Sequence, residues 1–482
     1  MRIKVIIRYI GLALIMVALM MAVSALVAII NGYDDSATPL LTSALVTFVT
    51  GYYPMIFVSP ERYIKPKEGI VIVVLAWFVC CIFGMIPYIC YGGEFSFIDA
   101  FFESVSGFTT TGASILDDIE SVPAGLLFWR VSTSWVGGLG IVSFFSLVIP
   151  RSMDTRSVLS NAELSDIARS QSSKSGKAFV KTILSVYVIL TATCAILLRI
   201  SGQGWFDAVT NAMSTCSTCG FCVKNASIAA YNSVAAELII IFFMTTCGIS
   251  FMLLSTIATG KKTARRRIST TTAVFLISLI AATAIVSMNL HNDGQMSWLE
   301  AIRQAAFQVS SISTTTGFAT ADTNLWPALI IIILTVASII CGCSGSTSGG
   351  IKMDRIVLIF SYIRNGFRTV ANPHRVLGTR LSGHIVSERD ATEAMKFVLI
   401  YVSLIIVGAV VNISFGLDVK TGVTAAIACI GNVGPGFGSV GSMGNFADFP
   451  AVLKFTNSLL MLAGRLEIFP ILSFIGLSAE RN

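Results

Sequence analysis

Four short segments, each carrying one glycine, recur about a hundred residues apart, a periodicity that marks internal repetition of one structural unit. They read Thr109-Thr110-Thr111-Gly112, Ser217-Thr218-Cys219-Gly220, Thr314-Thr315-Thr316-Gly317 and Gly431-Asn432-Val433-Gly434, each between two long apolar stretches. The pattern predicts four similar units around one axis, each supplying a short length of backbone. A ring of four backbone loops is one way proteins coordinate a permeating alkali cation. The repeat therefore constrains function as well as fold.

The chain is 54% hydrophobic and 12% charged, against roughly 25% charged residues in a soluble domain. With a mean hydropathy of +0.80, it reads as an all-α polytopic protein of a lipid bilayer. Stretches that reach the roughly 20 residues needed to span lie near 5–30, 38–58, 70–91, 123–149, 178–200, 234–259, 270–290, 326–363, 396–415 and 450–478. The first follows Arg2, Lys4 and Arg8 and resembles a signal peptide. It outruns a signal core of roughly 7–15 residues and lacks a small-residue cleavage site, so it is expected to be a retained span.

A net charge of +7 could suggest nucleic acid, but its distribution argues against that partner. Basic connections (the N-terminus, Arg62 to Lys67, Arg151 to Lys181, Lys261 to Arg267, Lys352 to Lys396) alternate with acidic or neutral ones. That alternation is the positive-inside signature. It predicts cytoplasmic termini in an inner or plasma membrane and puts all four glycine segments outside. Eleven cysteines lie mostly in apolar stretches, where a free thiol acts as a small hydrophobe.

Ahead of each glycine segment runs an apolar stretch too short to cross: Phe97 to Phe108, Trp205 to Cys216, Trp298 to Ser313 and Thr421 to Ile430. These read as re-entrant half-helices, tolerated at membrane depth where protein or a water-filled path surrounds the chain end. Each repeat is then span, half-helix, glycine segment, span. The expected units are two N-terminal spans in 1–69, then repeats in 70–150, 151–260, 261–365 and 366–482, the last with a cytoplasmic connection. Backbone carbonyls can replace the hydration shell of a cation without adding fixed charge, and glycine adopts the required positive φ at low cost. One glycine per segment predicts a short filter with weak rejection of sodium. Glu94, Asp99, Glu103, Asp117, Asp118 and Glu120 could concentrate cations at the mouth, although solvated loop charge explains most of them.

The segments TTTGAS, TTTGFA and GNVGPGFG, with GSTSGGIKMDR and AGRLEIFP, resemble the TrkH branch of the Trk/Ktr/HKT potassium-transport superfamily over essentially the whole chain. The resemblance implies a pseudo-fourfold monomer with one K⁺ pore, homodimers, and a cytoplasmic TrkA-type regulatory subunit that binds NAD or ATP/ADP. It carries K⁺ coordination onto Thr110, Thr111 and Gly112, Thr218, Cys219 and Gly220, Thr315, Thr316 and Gly317, and Asn432, Val433 and Gly434. Cys219 departs from the small hydroxyl or glycine common there. Because backbone would coordinate the ion, the site is expected to survive this change.

The eighth apolar stretch is interrupted by Gly342-Cys343-Ser344-Gly345-Ser346-Thr347-Ser348-Gly349-Gly350. Each glycine disfavours helix by roughly 1 kcal/mol against alanine. A break at this depth predicts a loop lining the pore on the cytoplasmic side, a gate moved by a partner, and the resemblance implies the same. Packing of small residues between helices is the alternative. A phosphate-binding loop would need a Gly-Lys-Ser/Thr ending, whereas Gly349-Gly350 precedes Ile351-Lys352. Arg465 sits inside the last span, where an arginine costs at least ~2.5–3.5 kcal/mol unless paired or hydrated. Glu467 would leave a different helix face, so Arg465 is expected to face the aqueous path as a barrier to cations. A salt bridge to another span remains the alternative.

The spacing of Cys216, Cys219 and Cys222 matches part of an iron–sulfur ligand run, but the fourth cysteine and its proline are missing. His291, His374 and His384 show no ligand spacing, and no enzyme site is apparent. The basic connection Asn365 to Arg389, with Pro373 and Gly378, could meet anionic lipid or dock the regulatory subunit. A gated channel is favoured over an H⁺- or Na⁺-coupled symporter, because no membrane Asp or Glu is clearly placed to carry a proton.

Overall fold

A computed structural model of the chain describes residues 1–59, 64–140, 176–258, 270–294, 296–371, 380–381, 384–385 and 388–479. The expected repeat boundaries at 150/151 and 260/261, the basic stretch Lys261 to Arg267, and residues 372–379 (His374 among them), 382–383 and 386–387 of the Asn365 to Arg389 connection fall outside these residues. So does the end of the fourth span beyond 140.

Two long helices, Ile3–Ile30 and Ala37–Phe57, form an N-terminal antiparallel hairpin. They cross where two glycines meet. A Cβ on Gly51 would lie 2.8 Å from the Gly11 carbonyl oxygen and 2.9 Å from the Leu14 Cβ. Small residues let helix backbones approach closely, which drives packing in a membrane. Gly51→Leu is therefore expected to cost about 1–3 kcal/mol by overpacking. Thermal unfolding of the purified protein would register that loss.

Four repeats follow. The first has a helix from Pro66–Gly84 continued as Ile86–Tyr91, a short helix Phe97–Phe108, and a second helix Ala124–Leu139. The second repeat has Gly176–Ile200, Trp205–Ser217 and the pair Val234–Cys247 and Phe251–Ala258. In the third these become Thr270–Asn292, Trp298–Ser313 and the pair Ala328–Ile340 and Met353–Ala371. The fourth comprises Glu388–Ser414, Val419–Gly431 and the pair Ala451–Arg465 and Phe469–Ala479. A two-residue antiparallel pairing, Arg380–Leu381 with His384–Ile385, precedes the fourth.

Local chemistry sets these boundaries. Ser96, Ser297 and Asp418 cap three short helices, accepting from the backbone N–H of Asp99, Glu300 and Thr421 at 3.4, 3.4 and 3.0 Å, the usual way to satisfy a helix's orphan donors. Pro123, Pro327 and Pro450 stand immediately before the second helices of repeats one, three and four, and Ser233 caps that of repeat two.

The ring closes by packing. The second helices of repeats one, two and three lie against the short helices of repeats two, three and four, and Ala451–Arg465 lies against Phe97–Phe108. Four units thus surround one axis.

The second helices of repeats two and four depart from the straight spans expected, whereas that of the third repeat is interrupted where its glycine-rich stretch predicted a break. Among the described residues six helices are long and apolar enough to cross, and two further pairs pass only if joined across bends of 103° and 105°. Those bends fall between Val234–Cys247 and Phe251–Ile257, and between Ala451–Arg465 and Phe469–Gly476. The third repeat's helix stops at Ile340 and resumes at Met353, and the first repeat's stops at Leu139. Positive φ at Cys341 (62°), Glu467 (55°) and Ile468 (59°) ends helical geometry there. Hydropathy averaged along a span does not register one or two such residues.

Candidate functional site

Each short helix ends in the same way. The N–H of Thr111 bonds the Ser106 carbonyl at 2.9 Å and that of Thr110 bonds Gly107 at 2.8 Å. The pairs recur as Cys219 to Ser214 (3.1 Å) with Thr218 to Thr215 (3.2 Å), Thr316 to Ser311 (2.8 Å) with Thr315 to Ile312 (3.0 Å), and Val433 to Ala428 (2.9 Å) with Asn432 to Cys429 (3.2 Å). This is the Schellman termination, which needs a left-handed residue one past the cap. Here that residue is Thr110 (φ 55°), Thr218 (55°), Thr315 (59°) or Asn432 (54°). Asparagine tolerates the conformation, whereas for β-branched threonine it is a real outlier, a kind of strain that clusters at functional sites.

Two residues later each glycine is again at positive φ: Gly112 80°, Gly220 82°, Gly317 79°, Gly434 94°. Their surroundings explain why no side chain fits. A Cβ on Gly112 would strike the Cys219 carbonyl oxygen, one on Gly220 that of Thr316, one on Gly317 that of Val433, and one on Gly434 that of Thr111. The contacts run from each repeat to the next and return to the first, a closed ring of backbone. The N–H groups at the first two positions are spent on the helix ends. No described residue donates a hydrogen bond to the carbonyls of Thr110, Thr111, Thr218, Cys219, Thr315, Thr316, Asn432 or Val433. Oxygens so placed can only be satisfied by water or a cation.

Side chains differ among the repeats more than backbone does. Thr109 and Thr111 hydroxyls lie 2.7 Å apart and those of Thr314 and Thr316 2.8 Å apart. Cys219 and Val433 cannot reproduce that link. In the fourth repeat Asn432 substitutes, donating from Nδ2 to Thr111 Oγ1 (3.0 Å) and the Met461 carbonyl (2.9 Å). Cys219 turns away from the ring and packs with Val131, Met213 and Phe221. Cys216 joins a different apolar cluster, and Cys222 Sγ lies 3.6 Å from Asn211 Oδ1.

The glycine-rich stretch sits against the beginning of the second, third and fourth segments. Gly349 N–H donates to Thr315 Oγ1 at 3.0 Å, and Thr347 Oγ1 donates to the Cys216 carbonyl at 3.2 Å. Gly349 also packs on the Gly431 carbonyl and Asn432, while Cys343 N–H bonds the Gly248 carbonyl at 2.9 Å. Gly342, Thr347, Ser348, Gly349 and Gly350 are buried, and Gly345 and Ser346 half-buried. Arg465 completes the contact with repeat one: its guanidinium donates to Thr347 O (2.7 Å), Gly137 O (2.7 Å) and Gly138 O (3.0 Å). The loop therefore touches three repeats directly and the first through Arg465.

Glu467 was expected on a continuing helix; it lies in the bend instead. Its carboxylate meets Lys352 Nζ at 3.0 Å and Arg355 Nη2 at 2.5 Å, fastening the far end of the loop to the last span.

The acidic residues near the first segment divide into two groups. Asp99 pairs with Lys454 at 2.6 Å, Asp117 accepts from Asn445 at 2.7 Å, and Asp118 from Asn225 at 2.8 Å. Glu120 pairs with Lys224 at 3.1 Å. The Asn225 hydrogen bond holds the Asp118 carboxyl below its ordinary range, and the Lys224 bond does the same for Glu120. These loop carboxylates bind neighbouring loops together.

Glu103 corrects the mouth-charge expectation. It is fully buried behind the first segment and ion-paired with Arg130, where no permeating ion meets it. The sequence held a signal for it: polar Glu103, Asn211 and Gln308 share one register ahead of their glycines.

His291 stacks on Trp298 with ring centroids 4.1 Å apart, and His384 lies in the two-residue hairpin.

The fold and this ring define a polytopic, predominantly helical transport protein of the membrane. The chain belongs to the TrkH family, described as cation transport proteins, whose family model matches residues 57–477. It is 32% identical to the Trk system potassium uptake protein TrkH of Halomonas elongata, over 98% of both chains. Identity to TrkH of Escherichia coli K12 is also 32%, again over 98% of both. The crystal structure of the potassium transporter TrkH from Vibrio parahaemolyticus superposes with a TM-score of 0.85 at 29% identity, covering 98% of each chain.

Proposed function

We propose that this chain carries K⁺ into the cell through a gated, channel-like pore whose selectivity filter is the ring of glycine segments. The single observation that carries the reading is the closed circuit of glycines against neighbouring carbonyls. Relatives named as potassium uptake proteins over nearly the full chain support K⁺ as the cargo. Dehydrated K⁺ meets carbonyls of Thr110 and Thr111, Thr218 and Cys219, Thr315 and Thr316, and Asn432 and Val433, with the glycines keeping these strands in register. Having one glycine per strand, this filter rejects Na⁺ less strictly than one with paired glycines.

The loop from Gly342 to Gly350 is the gate, and Arg465 is both its latch and a positive barrier below the filter. On this reading the termini are cytoplasmic in an inner membrane, the units fall at 1–69, 70–150, 151–260, 261–365 and 366–482, and the protein works as a homodimer. A TrkA-type subunit binding NAD or ATP/ADP moves the gate from the cytoplasm. Glu237 is paired with Arg303 at 3.6 Å, and Glu467 with Lys352 and Arg355. Carboxylates committed to such pairs favour a channel over coupled symport. Expression in a bacterial strain stripped of its own K⁺ uptake is expected to restore growth at limiting K⁺. A membrane-inserted protein that fails to restore it counts against the reading.

A further inference from the structure

In every repeat one buried polar side chain of the short helix ties down the strand leaving the glycine. Glu103 accepts from Ile115 N–H (3.1 Å) and Ser114 Oγ (3.2 Å), Asn211 meets Cys222 Sγ (3.6 Å), Gln308 Nε2 donates to the Ala321 carbonyl (3.4 Å), and Thr424 Oγ1 accepts from Phe437 N–H at 2.9 Å. The first repeat alone uses an ionised group among these four. A buried carboxylate is costly unless paired and fully hydrogen-bonded, and Arg130 supplies the pairing. Glu103 and Arg130 are 0% and 2% exposed, and their side chains are in direct contact. The same guanidinium donates to the Cys222 carbonyl at 3.1 Å and lies 3.7 Å over the Phe221 ring.

Arg130 thus spans two repeats: one edge holds the anchor of the first exit strand, the other holds the exit strand after Gly220. Phe221, under its face, follows that glycine directly. We infer that the Glu103–Arg130 pair is a positioning brace that sets the spacing of the first and second filter strands, and thereby the K⁺ over Na⁺ preference. The inference rests on the conduction reading above. Only a planar, forked cation makes all three contacts at once. A neutral neighbourhood would leave the ring electrostatically similar but free to widen or narrow. Its effect is therefore on selectivity rather than on driving force.

The test uses the full chain in liposomes, with reversal potentials under opposed K⁺ and Na⁺. Wild-type protein is measured first: no K⁺ preference there defeats the conduction reading itself, not the brace. Given a preference, the charge-neutral pair E103Q with R130M, which leaves no buried ion uncompensated, is expected to lower the K⁺/Na⁺ permeability ratio about tenfold, equal to ~1.4 kcal/mol of differential binding. R130K, which keeps the charge and loses the fork, is expected to fall between. F221L removes only the stacking face and should lower the ratio severalfold. A second readout is thermal stability in detergent. Binding to the folded state raises stability, so wild type should melt higher in K⁺ than in Na⁺, and the variants should lose that difference. If the neutral pair folds with a wild-type ratio, the brace is overturned. Should the pair not fold, F221L with both a wild-type ratio and a wild-type K⁺ stabilisation overturns it equally.

Discussion

Gly112→Ala is expected to abolish selective K⁺ conduction while leaving the protein inserted in the membrane. At φ 80° an alanine is disfavoured by roughly 1–2 kcal/mol. Its Cβ would also displace the Cys219 carbonyl, which the proposed filter offers to the ion from the next repeat. Because the contacts form a circuit, moving one carbonyl disturbs two strands of the four. A combined penalty of at least ~2 kcal/mol corresponds to a loss of about thirtyfold in K⁺ binding. Gly220→Ala, Gly317→Ala and Gly434→Ala should behave alike, since each meets the following repeat's oxygen. Gly32→Ala is the control. Gly32 has a φ of 95° with nothing within 4 Å of a Cβ, so it should lose a little stability and no selectivity. Equal K⁺/Na⁺ ratios for Gly112→Ala and wild type would contradict the filter.

The second large effect has the opposite sign. Deleting Gly345 to Gly349, or replacing Arg465 with alanine, is expected to raise cation flux without any regulatory subunit. The deletion removes the loop's bonds to Thr315 and Cys216. Arg465→Ala removes three charge-assisted bonds, to Thr347, Gly137 and Gly138. Hydrogen bonds to charged groups contribute roughly 1.5–3 kcal/mol each. Even one such increment moves a closed–open equilibrium about tenfold or more. Rubidium uptake into liposomes is a suitable measure, with unchanged or lower flux in folded variants counting against gate and latch. Arg465→Lys separates two contributions: it keeps the barrier charge but not the fork that reaches three carbonyls, so its flux should lie between wild type and Arg465→Ala.

Much of this architecture was legible in the sequence. The spacing of four glycines, the apolar runs around them and the short stretches ahead of them led to four repeats, and the short helices start and stop within a few residues of expectation. Glycine at 112, 220, 317 and 434 was readable because only glycine suits that backbone so close to another carbonyl. The preceding left-handed residues were not. Threonine at 110, 218 and 315 is a poor candidate for positive φ, and only the Schellman hydrogen bonds of the short helix ends impose it. The bends at Gly248 and Glu467 were hidden because hydropathy is a sum along the chain and breaks are local. Arg465 was singled out by its cost in a membrane, but its partners are carbonyls from the first repeat and the glycine-rich loop, more than a hundred residues away. Glu103 was misassigned for a similar reason. Its neighbours in sequence include acidic residues nearer the loops, whereas its neighbour in space is Arg130.

The most direct test of the central claim is the reversal potential of the purified chain in liposomes, with K⁺ on one side and Na⁺ on the other, repeated across pH. The account predicts a potential that follows the K⁺ gradient, is displaced only partly by Na⁺, and is insensitive to pH. A potential that ignores K⁺, or one that shifts steadily with the proton or sodium gradient at fixed K⁺, would contradict it.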